Sequence, residues 1–466
     1  MATKQVKKQA KISAIEITNE KLSGRGGIFF FLRFIENIGF YPLFEKYFGF
    51  VKGSNKGLSC RQFIIQLLAY FIDATDLSMS GFDRRKNDSG YAGLLENRPA
   101  QMASSHQMKR FFEKLAPMGN RLYRLVLLQL FIWRLRIEQP TLIELFIDSV
   151  VWDNDQADKR QGVEPTYKKV KGFQPLEISY GPYAVDAIFR SGSVHGNHGQ
   201  DIIRALSRLT CAIRKHYRDV PIIVLFDSAF MDDKNFTYLE EKIHIFYIGS
   251  GKAYDDLKQY IKQVPQQAFR KAEKKNQTWQ YVEFGNRLKS WSKFRRCIYT
   301  TMQTDENGQL LLEFARPDLF IYTNIGIDAD AQKQLVDSGH SRYLQTEQII
   351  YADHHRGKYE LNHRSRKQFA GKESFPFEKI GMNRAYYYFM LIAHFLYEAY
   401  KRDVTFDFSP VESYPVTFRR NLIDFAVKIV SNAGRLILKV SQTVYEQLKL
   451  NILWERTENP APLFQT

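Results

Sequence analysis

Cysteine is scarce in this 466-residue chain: only Cys60, Cys211 and Cys297 occur. They lie far apart, with neither an even count nor zinc-ligand spacing. This excludes a disulfide-stapled scaffold and a thiolate zinc site, and fits a reducing, intracellular setting. Long apolar runs are missing as well. The nearest candidate, Ala385 to Tyr397, is too short to cross a bilayer and reads as a buried helix. The basic N-terminus, MATKQVKKQAKIS, has no apolar core of the kind a secretory signal needs, so a cytoplasmic location without a membrane partner is expected. Acidic residues are in deficit. Asp plus Glu number 50 against 67 Lys plus Arg, a formal charge of +17 that favours a polyanionic partner such as nucleic acid.

What is present is enough apolar sequence for roughly two to four domains. Residues 1–13, with Lys4, Lys7, Lys8 and Lys11, read as a basic arm that lies on a phosphate backbone or aids solubility. Residues 14–139 read as an all-helical domain suited to binding DNA, with helices in the aromatic-rich stretch from Gly27, from Cys60 to about Thr75, after a cap at Ser104 or Ser105, and in NRLYRLVLLQLFIWRLRI. The pattern changes at Pro140. An apolar run, IELFIDSVV, is followed by strand-like runs at Leu176–Tyr180 and Tyr183–Phe189, a helix over Asp201–Tyr217, the buried strand PIIVLF, a short helix at Lys234–Lys242 and the strand HIFYIG. Three strands, helix, strand, helix, strand is the order an RNase H-like core requires.

Residues 251–345 leave this rhythm, with a polar helical part at Lys252–Lys275 and then alternating runs in RRCIYTTMQ, LLLEFA and LFIYTNIG, and are expected to form a β-rich insertion. Residues 346–401 then return to the core, and residues 402–466 read as a basic C-terminal region, helical from Thr417 to about Glu455. The fold class expected is therefore α/β: an interrupted RNase H-like core flanked by helical N- and C-terminal parts.

The segment YADHHRGKYELNHRSRK, Tyr351 to Lys367, places one carboxylate among cations. As a single helix it would align Arg356, Glu360, Arg364 and Lys367 at i, i+4, i+8 and i+11 on one face. A solvated helix laced with ion pairs fits this pattern. So does a metal site beside phosphates, provided other carboxylates join it. Asp148 and Asp227 each close a strand of the expected sheet, so adjacent strands ending together would bring both to one edge, within reach of Glu360. Three carboxylates suit Mg²⁺ or Mn²⁺, hard ions that take oxygen ligands, and two such ions can drive in-line displacement at phosphorus. Asp153, Asp155 and Asp158 read as a solvated loop, and Asp186, alternating with apolar neighbours, as a surface position. Trp152 and Trp291 fit either the core or stacking on an extruded base.

With IDSVV at Asp148, KGFQPL at Lys171–Leu176, RSGSVHGN at Arg190–Asn197 and VLFDSAF at Asp227, the sequence resembles the DDE transposases of bacterial insertion sequences, within the IS4-like group and its IS1380-type branch. The family's terminal signature is Tyr, two residues, Arg, three, Glu, six, Lys. It maps onto Arg356, Glu360 and Lys367, with Asp353 at the tyrosine position and Tyr351 two residues earlier. Similarity also takes in SGFDRRKND at Ser80–Asp88 and the basic C-terminal segment. The resemblance implies a two-ion enzyme that binds double-stranded DNA with terminal inverted repeats as a homodimer, cleaves the element ends and joins the 3′-hydroxyl to target DNA. Asp148, Asp227 and Glu360 would hold the ions, and Arg356, Lys367, Tyr351, Lys171 and Arg190 would contact DNA, with Arg364 a further DNA-contact candidate from the helical spacing. Two other classes share these features: an inactive transposase-derived DNA-binding protein, and a host nuclease of the same fold.

Overall fold

The computed structural model describes residues 12, 14–53, 56–312 and 316–464. The arm lysines Lys4, Lys7, Lys8 and Lys11 lie outside that set. After a short strand β1 (Lys21–Ser23) the N-terminal part is helical, with segments Gly27–Asn37, Phe40–Phe48, Cys60–Asp73, Gly81–Lys86, Ser89–Leu94, Ser105–Leu115 and Arg121–Glu138. Two of these begin on reciprocal caps. Ser59 and Ser104 accept from the backbone N–H of Gln62 and Gln107, whose side chains accept from the backbone N–H of the serines in return. Gly27–Asn37, Phe40–Phe48, Cys60–Asp73, Ser105–Leu115 and Arg121–Glu138 gather around the 24-residue helix Ile380–Asp403, whose interior residues are almost all buried. Aromatic rings fill that core, among them Tyr123 and Tyr388, stacked with centroids 4.9 Å apart.

The next strands are β2 (Ile143–Ser149), β3 (Trp152–Asp153), β4 (Glu164–Pro165), β5 (Lys171–Phe173), β6 (Leu176–Tyr180), β7 (Tyr183–Ile188), β8 (Ile222–Phe226) and β9 (Phe246–Gly251). β2, β6 and β7 form an antiparallel meander, and β8 then β9 add parallel to the other side of β2. The helices Asp201–Arg214 and Asp233–Glu241 make the crossovers. β3, β5 and β4 form a separate small sheet beyond the end of β2.

Four further strands, β10 (Arg270–Lys274), β11 (Gln277–Asn286), β12 (Arg295–Thr304) and β13 (Asp318–Thr323), do not stand apart. β13 pairs antiparallel with β9, so they extend one nine-stranded mixed sheet. Two expectations for this stretch change. The polar segment from Lys252 is α-helical only over Asp255–Gln263, with one 3-10 turn at Gln266–Ala268 before β10 begins, and in LLLEFA only an isolated bridge from Leu310 to Thr304 forms, with residues 313–315 outside the described set.

The C-terminal part is not wholly helical, as the sequence had suggested. The helix from Pro415 stops at Leu422, and β14 (Val427–Asn432) and β15 (Arg435–Lys439) form a hairpin through Ala433 and Gly434, both at positive φ. β14 also pairs with β1, joining the two ends of the chain. Val427 and Ile429 alternate with polar residues, a strand period that the basic composition hides. Among the described residues no single helix is long and apolar enough to cross a membrane.

Asp186 is fully buried rather than a surface residue. Arg124 donates to both of its carboxylate oxygens at 2.8 Å, and Arg208 pairs with it from the neighbouring helix. Alternation on β7 gave the right face of the strand, but helices distant in sequence cover that face. Removing one partner of a buried ion pair strands the other charges, at a cost of about 3 kcal/mol or more. Asp186→Asn is therefore expected to lower the urea midpoint markedly with little change in its slope, read by equilibrium unfolding.

Candidate active site

The site begins with the period of β2. Glu144, Phe146 and Asp148 share one face of the strand, and the helix Gly357–Ala370 lies along it. Phe146 stacks on Tyr359 with centroids 4.5 Å apart, and Asp148 Oδ2 comes within 3.5 Å of His363 Nε2. Steps of two on the strand thus meet steps of four on the helix. One step further, the buried Arg366 places its Nε 3.0 Å from Glu177 Oε2, and Glu177 sits directly across from Asp148 in the β2–β6 register. Tyr387, from the long central helix, donates to the other Glu177 oxygen at 2.7 Å. This chain of contacts sets how the helix sits against the strand.

Parallel pairing matches Ile147 with Phe226, so Asp148 and Asp227 follow as neighbours at the ends of β2 and β8. Backbone N–H groups hold both carboxylates: Ser149 donates to Asp148 at 2.7 Å and Ala229 to Asp227 at 2.9 Å. Burial, then the charge of Asp227, pushes the Asp148 carboxyl up from 3.8 to about 7. Two like charges side by side, with Asp148 further crowded by Glu177, are short of positive charge, and the donors are all oxygen, the set a hard divalent cation prefers.

Glu360 comes from the first turn of the helix Gly357–Ala370. Asp148, Asp227 and Glu360 line one cleft of about 700 Å³, shared with Tyr167, Lys168, His363, Arg364, Lys367, Lys372 and Glu373. Among the described residues no three acid, histidine or cysteine side chains are gathered tightly enough to ligate one ion. The Asp148–Asp227 pair is assembled at the ends of adjacent strands, and Glu360 lines the same cleft.

The remaining expected residues divide into two groups. Arg364 and Lys367 line the cleft, Arg364 over the Tyr414 ring at 5.1 Å and Lys367 Nζ 2.6 Å from Glu373. Arg356 does not share their helical face. The segment is broken between helices Thr346–His354 and Gly357–Ala370, and Arg356 is the N-cap of the second, donating to the carbonyl of Phe226 at 3.3 Å. Nothing in the polar pattern of YADHHRGKYE marks that break.

Four others sit away from the acids or inside the fold. Tyr351 donates its hydroxyl to the Glu273 carbonyl at 2.6 Å and its ring faces Trp279, so it docks the helix on the inserted strands. Asp353, at the signature's tyrosine position, is buried and accepts from Ser250 Oγ at 2.7 Å. Arg190 is buried, donating to the carbonyls of Gln174, His195 and Gly196 and to Ser149 Oγ, a brace for the glycine-rich loop rather than a free DNA contact. Lys171 is exposed but paired with Asp158 at 2.9 Å. Trp152 and Trp291 are core residues. Sequence reasoning missed Tyr167, Lys168, His363 and Lys372. Tyr167 and Lys168 stand in a polar loop with no motif, and only the hairpin of β4 and β5 brings them over the acids.

The chain matches the family described as Transposase DDE domain group 1 over residues 4–459. It belongs to the DDE transposase family. Members of that family are enzymes that cleave and join DNA, generally with divalent metal ions. Among solved structures, a piggyBac transposase synaptic complex with hairpin DNA aligns over 95% of this chain and 85% of its own, at 13% sequence identity and a TM-score of 0.42, too distant to carry functional detail. No curated protein matches the chain.

The Asp148 shift has a measurable consequence for this DDE protein. Because the folded carboxyl titrates near 7 and the unfolded one near 3.8, the stability contributed by its protonated form is complete below the unfolded value and is lost as pH rises through about 7. Without metal, Asp148→Asn is expected to melt several degrees above wild type at pH 8 and close to it at pH 4. Added Mn²⁺ at pH 8 should raise the wild-type midpoint and leave that of the variant unmoved, in a thermal-shift titration.

Proposed function

We propose that this chain is a DNA transposase that uses Mg²⁺ or Mn²⁺, as a pair of ions, to cleave the ends of an insertion sequence and transfer them to target DNA. One observation carries the reading. In a chain matched to the DDE family almost end to end, two aspartates end adjacent parallel strands and a glutamate on a crossing helix lines the same cleft. The strand order β7-β6-β2-β8-β9, antiparallel on one side and parallel on the other, supports an RNase H-like core interrupted after β9.

Asp148, Asp227 and Glu360 would hold the ions. When bound, the ions activate the attacking oxygen and neutralise charge on the phosphate. The chain's own residues do the rest. Asp148 and Asp227 are aimed by backbone N–H groups, and the Phe146–Tyr359 and Glu177–Arg366 contacts fix the helix that presents Glu360. Arg364 and Lys367 give the cleft a cationic wall for the phosphates on either side of the reacting one. A modest movement of the Glu360 wall on engaging DNA would bring the third carboxylate to the pair. The helical N-terminal part and the basic C-terminal part would bind duplex DNA at terminal inverted repeats, with two copies acting together on the cytoplasmic chromosome.

DNA carrying the sequences that flank the gene is expected to be nicked at the element ends with Mg²⁺ or Mn²⁺ and not with chelator. Asp148→Asn, Asp227→Asn and Glu360→Gln should each reduce cleavage more than about 100-fold while still binding the ends in a gel-shift assay. Full activity in any of the three removes that residue from the site.

A further inference from the structure

The chemistry above uses Glu360 and makes no use of the histidine three residues further along the same helix. Glu360, Leu361, Asn362 and His363 form a Glu-x-x-His sequence inside the helix Gly357–Ala370. That spacing puts the first and last side chains on one helical face, and both line the cleft with Asp148 and Asp227. In helical dimetal proteins the same spacing lets one helix supply a carboxylate oxygen and an imidazole nitrogen to a pair of ions, with carboxylates facing it from other elements. Here the facing carboxylates are the two strand-end aspartates.

The His363 ring packs edge-on against Phe146, with centroids 6.2 Å apart, and its side chain is 12% exposed. Its Nε2 is buried and makes no hydrogen bond among the described residues. A buried polar atom in that condition calls for an explanation, and an ion that binds there supplies one. The position of the nitrogen agrees. It stands 3.5 Å from Asp148 Oδ2, long for a hydrogen bond to a carboxylate, which closes to about 2.7–2.9 Å when charge-assisted. Neighbouring ligands of one octahedral ion, with bonds of about 2.1 Å, stand about 3 Å apart, so a small adjustment would seat both on one cation. Two donors are thus side by side, although among the described residues no third acid, histidine or cysteine is close enough to complete a set of three.

We propose that His363 is a nitrogen ligand to the ion held by Asp148, so that one of the two metal positions is a mixed nitrogen and oxygen site that favours Mn²⁺ over Mg²⁺. Mg²⁺ is a hard ion that gains little from imidazole in place of oxygen, whereas first-row transition ions accept it. This rests on the transposase reading for the presence of the ions. It adds a fourth protein ligand and chooses between the two metals.

The test reads the metal's own coordination shell rather than turnover. The whole protein, without DNA, is loaded with Mn²⁺ alone and measured by electron spin-echo envelope modulation, once with natural nitrogen and once with ¹⁵N-labelled histidine. Wild type is expected to show modulation from a directly bound ¹⁴N that gives way to the ¹⁵N pattern on labelling. Among the described residues lining the cleft, His363 is the one histidine. His363→Gln should lose the nitrogen signal and bind Mn²⁺ at least about tenfold more weakly, with Mg²⁺ affinity within about two-fold of wild type by calorimetry. The isotope comparison needs no substitution, so it decides even where the variant folds poorly. Bound Mn²⁺ without nitrogen modulation in wild type overturns the proposal, as does an equal loss of affinity for both ions in the variant. Either result leaves the three carboxylates as the ion site, whereas wild type that binds no Mn²⁺ overturns that reading as well.

Discussion

The register between one helix and one strand governs this site. Gly357–Ala370 lies along β2 because Tyr359 stacks on Phe146, His363 meets Asp148 and Arg366 meets Glu177. Turning the helix by one residue, about 100°, would carry Glu360 out of the cleft and leave Arg366 and Glu177 unpaired in a region where both are almost wholly buried. An ion pair of that kind adds little net stability compared with apolar residues of the same shape. Its effect is selective, because the alternative registers bury uncompensated charge.

The same contact explains why the acids can be kept near one another without collapse. Asp148 is buried and is repelled by Asp227 and by Glu177, and its carboxyl is raised accordingly. Arg366 is bound to Glu177 rather than to the aspartates, so the fold neutralises the carboxylate that it uses as structure and leaves the pair at the cleft short of positive charge. Arg356, whose charge partly offsets the rise in the Asp148 carboxyl, is tied to the Phe226 carbonyl at the end of the strand that leads to Asp227. Among the described residues neither aspartate has a lysine or arginine ion-pair partner, and the only ion-pair contact of the two is that of Asp148 with His363.

The separation of roles extends outward. Arg190, Asp186 and Tyr351 are polar residues in motifs or exposed-looking patterns, yet each is an internal fastening, while the cleft's outer face is made from Tyr167, Lys168, Arg364 and Lys372. The inserted strands serve as an extension of the central sheet. They support the helix Thr346–His354 from beneath, through Trp279 and Tyr351, and so hold the chain just before it turns at Arg356 into the Glu360 helix.

Much of this was legible in the residues themselves. The apolar runs ending at Asp148 and Asp227 declare strands with a carboxylate at the tip, the periodicity of Ala385–Tyr397 declares a buried helix, and serine followed three residues later by glutamine declares two helix starts, because each of these is a local property of backbone and side chain. The spacing of Glu360, Arg364 and Lys367 likewise places them on one face before any fold is known. What only the tertiary structure decided is which polar groups are covered: Asp186 by two arginines from distant helices, Arg190 by its own loop, Asp353 by Ser250. It also decided where the polar helix breaks, and that a hairpin sets Tyr167 over the acids. Burial and convergence belong to segments far apart in the chain, and no local pattern encodes the element that will pack against them.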